Sequence, residues 1–279
     1  MKILIIGSTG ILGRRFMSKF PENEYIIYKG RIENYQLLSE FIQSNSCDVV
    51  LHLAALVPRN KVEQNFEQAF LANIMGTYNV LESVRVSSHK QTQIIFSSTA
   101  HVYQSSSVPI KEEDLKNPNS WYGKTKLAAE RLCEMYVKSF DMRISILRLF
   151  SYTDLLQSNE FFIPSMIEKI SNASLNETLF IPGLNDFRDF STSDQIVIAL
   201  EHFCRNPINS VVNVGTGKKV LLKYIVDFVI VYFKRSDLLI ITDESKGSYV
   251  SNCEKLESYG VELDDNLNDY LIEMVQFNH

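Results

Sequence analysis

The sequence predicts an α/β fold, a doubly wound parallel sheet with a smaller C-terminal lobe. Two observations carry that expectation. Short β-branched runs alternate with longer amphipathic stretches through the first 150 residues, and the first four runs lack polar alternation, as strands covered on both faces do. After Phe150 the rhythm loosens: Asn159, Asn172 and Asn176 punctuate it, and Pro164, Pro182 and Pro207 break it.

Residues 3–6, 25–28, 49–53, 94–96 and 144–149 read as strands, with helices between them at 11–20, 35–44, 66–88 and 121–140. Further on, 164–171 and 191–203 read as helices, and 211–214 as a short strand ending at Gly215-Thr216-Gly217. Residues 1–150 therefore form the core, to which 190–215 returns, while 151–189 and 216–279 form the smaller lobe. That lobe is expected over the carboxyl edge of the sheet, where open α/β folds hold their ligands.

Composition narrows the class. Apolar residues make up 45% and charged residues 22% of the chain, an ordinary globular balance. A net charge of −5 offers no basic surface for nucleic acid. The four cysteines stand far apart without a C-x-x-C pair or neighbouring histidines, which predicts reduced thiols and no metal site. The opening MKILIIG is too short for a signal-peptide core, and the apolar stretch 224–233 is about half a bilayer span. A cytoplasmic protein with no membrane association is expected.

The first strand runs into Gly7-Ser8-Thr9-Gly10-Ile11-Leu12-Gly13 and a helix start. Glycines there permit positive φ and let backbone N–H groups approach a pyrophosphate at the positive helix end. Gly7, Thr9, Gly10, Ile11, Leu12 and Gly13 are therefore candidates for holding a dinucleotide in a Rossmann-type core. A tight βα turn of small residues would read the same way. The second strand ends Tyr28-Lys29-Gly30-Arg31 and carries no acid until Glu33, where an NAD site usually places one for the ribose diol. Cations suit a 2′-phosphate, so Lys29 or Arg31, with Arg14, favour NADP(H), while NAD(H) stays open. Solvated surface cations would look alike.

Tyr122-Gly123-Lys124-Thr125-Lys126 puts Tyr122 and Lys126 at i and i+4, on one face of the predicted helix. An adjacent cation favours the phenolate and lets a tyrosine act as acid or base nearer neutral pH. Thr99 stands 23 residues earlier, at the end of a strand carrying Ser97 and Ser98, where a hydroxyl could stabilise charge developing on a carbonyl oxygen.

These motifs, together with His52-Leu53-Ala54-Ala55, Arg188-Asp189-Phe190 followed by Asp194, and Asn213-Val214-Gly215-Thr216-Gly217, resemble the extended short-chain dehydrogenase/reductases over nearly the whole chain. The resemblance implies that Thr99 hydrogen-bonds the substrate oxygen and that Tyr122 exchanges the proton. Lys126 would tune Tyr122 and bind the nicotinamide ribose, with Leu53, Ala54 and Ala55 passing the cofactor. Arg188 would contact the nucleotide or phosphates of a nucleotide-linked sugar, unless it serves only as an ion-pair partner of Asp186 or Asp189. Ser151 falls at the nicotinamide and substrate boundary.

Family members that dehydrate sugars carry an acidic pair directly after the catalytic threonine, and here Ala100 and His101 stand there instead. Alternation along a strand would turn His101 to the same side as Thr99, where it could exchange a proton with the sugar or simply flank the pocket. The preferred activity is NAD(P)H-dependent reduction of a nucleotide-linked 4-keto-6-deoxy sugar in polysaccharide precursor synthesis. Rival expectations are an epimerase retaining NAD, an epimerase–reductase using His101, and a non-catalytic cofactor sensor. The resemblance also implies a homodimer through a helix bundle built from 66–88 and 121–140, with Val80, Val84, Leu132 and Met135 at helical spacing.

Overall fold

The structure is a computed structural model that describes residues 1–57, 59–88, 91–245, 247–264 and 266–277. Strand β1 (Lys2–Ile6) leads into helix α1 (Ile11–Lys19), and β2 (Glu24–Tyr28) into α2 (Tyr35–Ser44). After β3 (Val49–His52) come α3 (Arg59–Gln64), α4 (Phe66–Ala69), a π-helical turn at Phe70–Met75 and α5 (Gly76–Val86). Strand β4 (Gln93–Thr99) passes through a single 3-10 turn (Ala100–Val102) to α6 (Trp121–Phe140) and β5 (Ile144–Leu149).

The second half holds β6 (Ser151–Thr153), α7 (Phe162–Ser171), β7 (Thr178–Phe180), β8 (Phe187–Arg188) and β9 (Phe190–Thr192). It continues through α8 (Ser193–Arg205), β10 (Val211–Val214), β11 (Val220–Leu221), α9 (Leu222–Tyr232), β12 (Leu239–Ile241), α10 (Glu254–Ser258) and α11 (Leu267–Phe277).

Six strands pair in parallel in the order β2-β1-β3-β4-β5-β10. From β1 the chain builds outward to β2, then returns to the other side of β1 with β3. The carboxyl ends of β1 and β3 are thus a topological switch point, where the flanking loops diverge and leave a crevice. Isoleucine and valine fill β1, β3, β4 and β5 because both faces are covered. On one face α1 and α8 bury Phe16, Ile196, Leu200 and Phe203 against Ile3, Ile5 and Leu51. On the other, α2, α5 and α6 bury Leu38, Leu81 and Ala129 against Leu4, Val50 and Phe96. The lobe has its own apolar cluster, formed chiefly by α7, α9 and α11 around Ile167, Val226 and Leu271.

Three departures from the predicted elements have physical causes. The helix expected over 66–88 is interrupted by the π-helical turn, where the buried Asn73 side chain reaches the backbone of Leu56 (2.6 Å to its N–H) and Thr125 Oγ1 (3.1 Å). Such local widening is a recurrent device at functional sites. The helix expected over 191–203 starts at Ser193, because Thr192 and Gln195 form a capping box there and the residues before it pair as β9. Of the apolar residues read as a dimer face, Val80 and Val84 belong to the core and Leu132 packs against it, while Met135 is exposed. Other apolar side chains of these helices are at least a third exposed, among them Phe66, Phe70, Trp121 and Phe140.

The glycine turn depends on close backbone approach. Gly7 has φ 100°, and a Cβ there would stand 2.6 Å from the Ala54 nitrogen. A Cβ on Gly13 would meet Gly7 O at 2.5 Å and Ser8 Cα at 2.7 Å, both backbone atoms that cannot swing aside. Gly13→Ala is therefore expected to cost about 1–3 kcal/mol in chemical denaturation, the usual penalty of overpacking.

Candidate active site

A cavity of about 520 Å³ opens at the carboxyl edge of the sheet, walled by the core on one side and the lobe on the other. Its core wall includes Leu12, Leu53, Ala55, Thr99, His101, Tyr122 and Lys126, and its lobe wall includes Ser151, Arg188 and Tyr249.

Thr99 is the last residue of β4; its hydroxyl accepts the His101 N–H (3.3 Å) and faces the same cavity as Tyr122. Ser120 caps α6 by accepting the Gly123 N–H (3.1 Å), which fixes Tyr122 in the first turn. Gly123 lets this turn lie directly on the His101 carbonyl, since a Cβ there would overlap it. Burial pushes the Tyr122 phenol up to about 12, with the nearby Thr99 hydroxyl pulling the other way. This departs from the expectation that a neighbouring cation lowers it. The phenol stays protonated through the neutral range and is equipped to donate a proton.

Lys126 stands one turn further along α6, buried, with its ammonium 4.3 Å from the centre of the Phe96 ring. Burial pushes the ammonium down to about 8, against a raising influence from Cys133 and Glu130 on the same helix. No protein group among the described residues hydrogen-bonds it, so its donors are available to a ligand in the cavity.

His101 lies in the 3-10 turn after β4 rather than on the strand, so strand alternation does not apply to it. The turn nevertheless brings it to the cavity, its ring 6.1 Å from that of Tyr122 and 5.2 Å from that of Tyr249. Arg188 does two things at once. Its Nη1 donates to the carbonyls of Phe187 (2.8 Å) and Gly247 (2.9 Å), and Nη2 lies 3.6 Å from Asp186, while the side chain lines the cavity. Its neighbour Asp189 is wholly buried and accepts from the Thr216 and Gly217 amides and from Ser251, so it shapes the lobe and does not face a ligand.

The glycine turn fits a dinucleotide. Helix α1 starts at Gly10 with no side-chain cap, leaving its first N–H groups to a ligand. A Cβ on Gly10 would meet only Gly7 O, at 3.4 Å, so that face of the turn is open to close approach. Thr9 and Gly10 are exposed, and Ala54 lies against Gly7 and outside the cavity lining. Lys29 and Arg31 follow the carboxyl end of β2, exposed and away from the cavity lining; Arg31 pairs with Glu33 at 3.1 Å.

The sequence did not mark out three residues that the structure brings to this cavity or directly behind it. Glu130 could have been found four residues after Lys126, and Arg148 as a lone charge in an apolar strand. Tyr249 comes from an irregular stretch and reaches the cavity through an isolated bridge to Arg188, which no local pattern announces.

Residues 13–267 match the family model described as GDP-mannose 4,6 dehydratase. The dTDP-D-glucose 4,6-dehydratase of Dictyostelium discoideum is 28% identical over 264 residues, which cover 78% of this chain and 59% of that protein. The chain thus spans less than two thirds of that relative. Among solved structures, the UDP-glucuronic acid 4-epimerase of Bacillus cereus, bound to UDP-glucuronic acid and NAD, superposes with a TM-score of 0.87 at 23% identity, covering 100% of this chain and 99% of its own. RMD of Pseudomonas aeruginosa, complexed with NADPH, gives 0.87 at 19% identity, covering 99% and 98%.

Proposed function

We propose, because the chain belongs to the extended short-chain dehydrogenase/reductase family, that it is an NAD(P)H-dependent reductase of a nucleotide-linked 4-keto-6-deoxy sugar. The observation that carries this reading is the convergence of Thr99, Tyr122 and Lys126 on one cavity wall, with Ala100 and His101 directly after Thr99. The resemblance implies that members which remove water from a sugar carry an acidic pair directly after this threonine. Here the next residues are Ala100 and His101, and the cavity's Glu160 and Asp186 are engaged with Lys61 (2.8 Å) and Arg188 (3.6 Å).

Gly7, Thr9, Gly10, Ile11, Leu12 and Gly13 would hold the pyrophosphate of the cofactor, Lys126 the nicotinamide ribose, and Leu53, Ala54 and Ala55 the loop that passes it. When bound, the reduced nicotinamide supplies a hydride to C4 of the sugar. Thr99 orients the C4 oxygen by donating a hydrogen bond, and Tyr122 gives its proton to that oxygen as negative charge develops. Lys126, held charged below about pH 8, compensates the phenolate that Tyr122 becomes. Arg188 faces the diphosphate, and Ser151 and His101 flank the sugar. Lys29 and Arg31 favour NADP(H). The exposed Phe66, Phe70, Trp121 and Phe140 suit a homodimer through paired helices. No helix among the described residues is long and apolar enough to cross a membrane. A cytoplasmic enzyme of polysaccharide precursor synthesis is part of the same reading.

A panel of GDP-, dTDP-, CDP- and UDP-linked 4-keto-6-deoxy sugars, each with NADPH and NADH, tests the reading. One member should oxidise one reduced cofactor per 4-hydroxy product. Interconversion of C4 epimers with no net cofactor consumption would contradict it and identify an epimerase. On the accepted member, Arg188→Ala should raise KM about tenfold with kcat within about twofold, the pattern of lost binding common to ground and transition states.

A further inference from the structure

Behind the cavity floor lies a buried charged cluster that proton transfer to the sugar does not use. Glu130 on α6 and Arg148 on β5 are each at most 1% exposed and form a bidentate pair, Nε to Oε1 at 2.9 Å and Nη2 to Oε2 at 2.7 Å. Ser98, the residue before Thr99, donates to the same Oε1 at 2.5 Å. Arg148 also donates to the Tyr103 hydroxyl (2.7 Å) and the Glu112 carbonyl (2.9 Å), and Tyr103 donates to Asn213 Oδ1 on β10 (2.6 Å). The cluster thus fastens the strand end carrying Thr99 to the helix carrying Tyr122 and Lys126.

We propose that Glu130 is a positioning residue for Lys126, locking the catalytic helix to the Thr99 strand end and placing a buried negative charge one turn from the ammonium. This rests on the reading of Thr99, Tyr122 and Lys126 as the reacting set. Stability alone does not call for a carboxylate there, because buried ion pairs are often replaced by apolar residues without loss. The location has a consequence for charge. Around Lys126 stand Tyr122, Cys133 and Glu130 on α6, His52 on β3, the Phe96 ring on β4, and Arg148 beyond Glu130. Burial, and then Lys126 itself, hold His52 neutral down to about 3, and burial pushes the Cys133 thiol up. Glu130, in its bidentate pair with Arg148, is the carboxylate of this group, and after Cys133 it works against the burial that lowers Lys126.

The test is the ionisation of Lys126 in the full-length protein, followed by NMR of lysines carrying carbon-13 at Cε and assigned with Lys126→Met. The unchanged protein should titrate near pH 8 at this position. Glu130→Gln should move the midpoint down by about one pH unit, and Glu130→Asp should bring it back toward the starting value. If Glu130→Gln does not fold, the pair replacement Glu130→Gln with Arg148→Met leaves neither charge alone, and should move the midpoint down by less, because the Arg148 cation beyond Glu130 is removed with it. An unmoved midpoint in folded Glu130→Gln, or a midpoint that rises in the pair replacement, overturns the proposal. Full turnover by Lys126→Met in NADPH-dependent reduction would instead overturn the reading of the site, whatever the titration shows.

Discussion

Tyr122→Phe is expected to lower kcat by about a thousandfold while leaving the fold and nicotinamide binding nearly unchanged. The substitution removes one oxygen. The ring keeps its place beside His101, and the Ser120 cap that sets the first turn of α6 is untouched. On the proposed reading, what is lost is the proton for the C4 oxygen, a group used only as charge develops, so kcat and kcat/KM should fall together. Thr99→Ala should cost less, about a hundredfold, because it removes an orienting donor and leaves the acid in place.

The same site gives this prediction a pH dependence with a definite sign. Burial holds Tyr122 protonated up to about 12, so the acid is present throughout the working range, whereas Lys126 loses its charge as pH rises through about 8. Reduction should therefore decline above about pH 8, on the limb set by Lys126. In Tyr122→Phe the residual rate should lack that limb, because no phenolate forms for the ammonium to compensate.

Arg148→Met is expected to destabilise the protein by about 3–5 kcal/mol in chemical denaturation, the largest stability loss of any single change considered. It leaves the Glu130 carboxylate wholly buried with Ser98 as its remaining donor and removes the donors that Tyr103 and the Glu112 carbonyl share. Adding Glu130→Gln should recover a large part of the loss, since a buried pair removed as a pair leaves no charge uncompensated. The difference between the single and double changes isolates the pairwise interaction. A cost below about 1 kcal/mol for Arg148→Met would mean that water or a neighbour relieves the carboxylate.

Much of this fold is legible in the sequence because local physics and tertiary packing agree. The apolar runs of β1 and β3–β5 allow few alternatives, and α2 and α6 have the bounds that their periodicity predicts. Legibility fails where a distant group decides the local shape. The π-helical turn answers to the bonds from Asn73 to Leu56 and Thr125, and the sequence around Asn73 reads as uninterrupted helix. His101 reaches the cavity by a helical turn and not by the strand alternation that predicted its side. Tyr249 arrives from a segment with no periodicity. The core wall of the cavity could be read in advance as motifs, whereas its lobe wall, assembled from short strands and bridges, yielded only Ser151 and Arg188.

The measurement that bears most directly on the central claim follows one hydrogen. The accepted nucleotide-linked 4-keto-6-deoxy sugar is turned over with NADPH deuterated at the transferable position of the nicotinamide, and the product is read by NMR. One deuterium at C4 of every product molecule, matched by one oxidised cofactor, is the result predicted here. Product without deuterium, formed while the reduced cofactor persists, would contradict it.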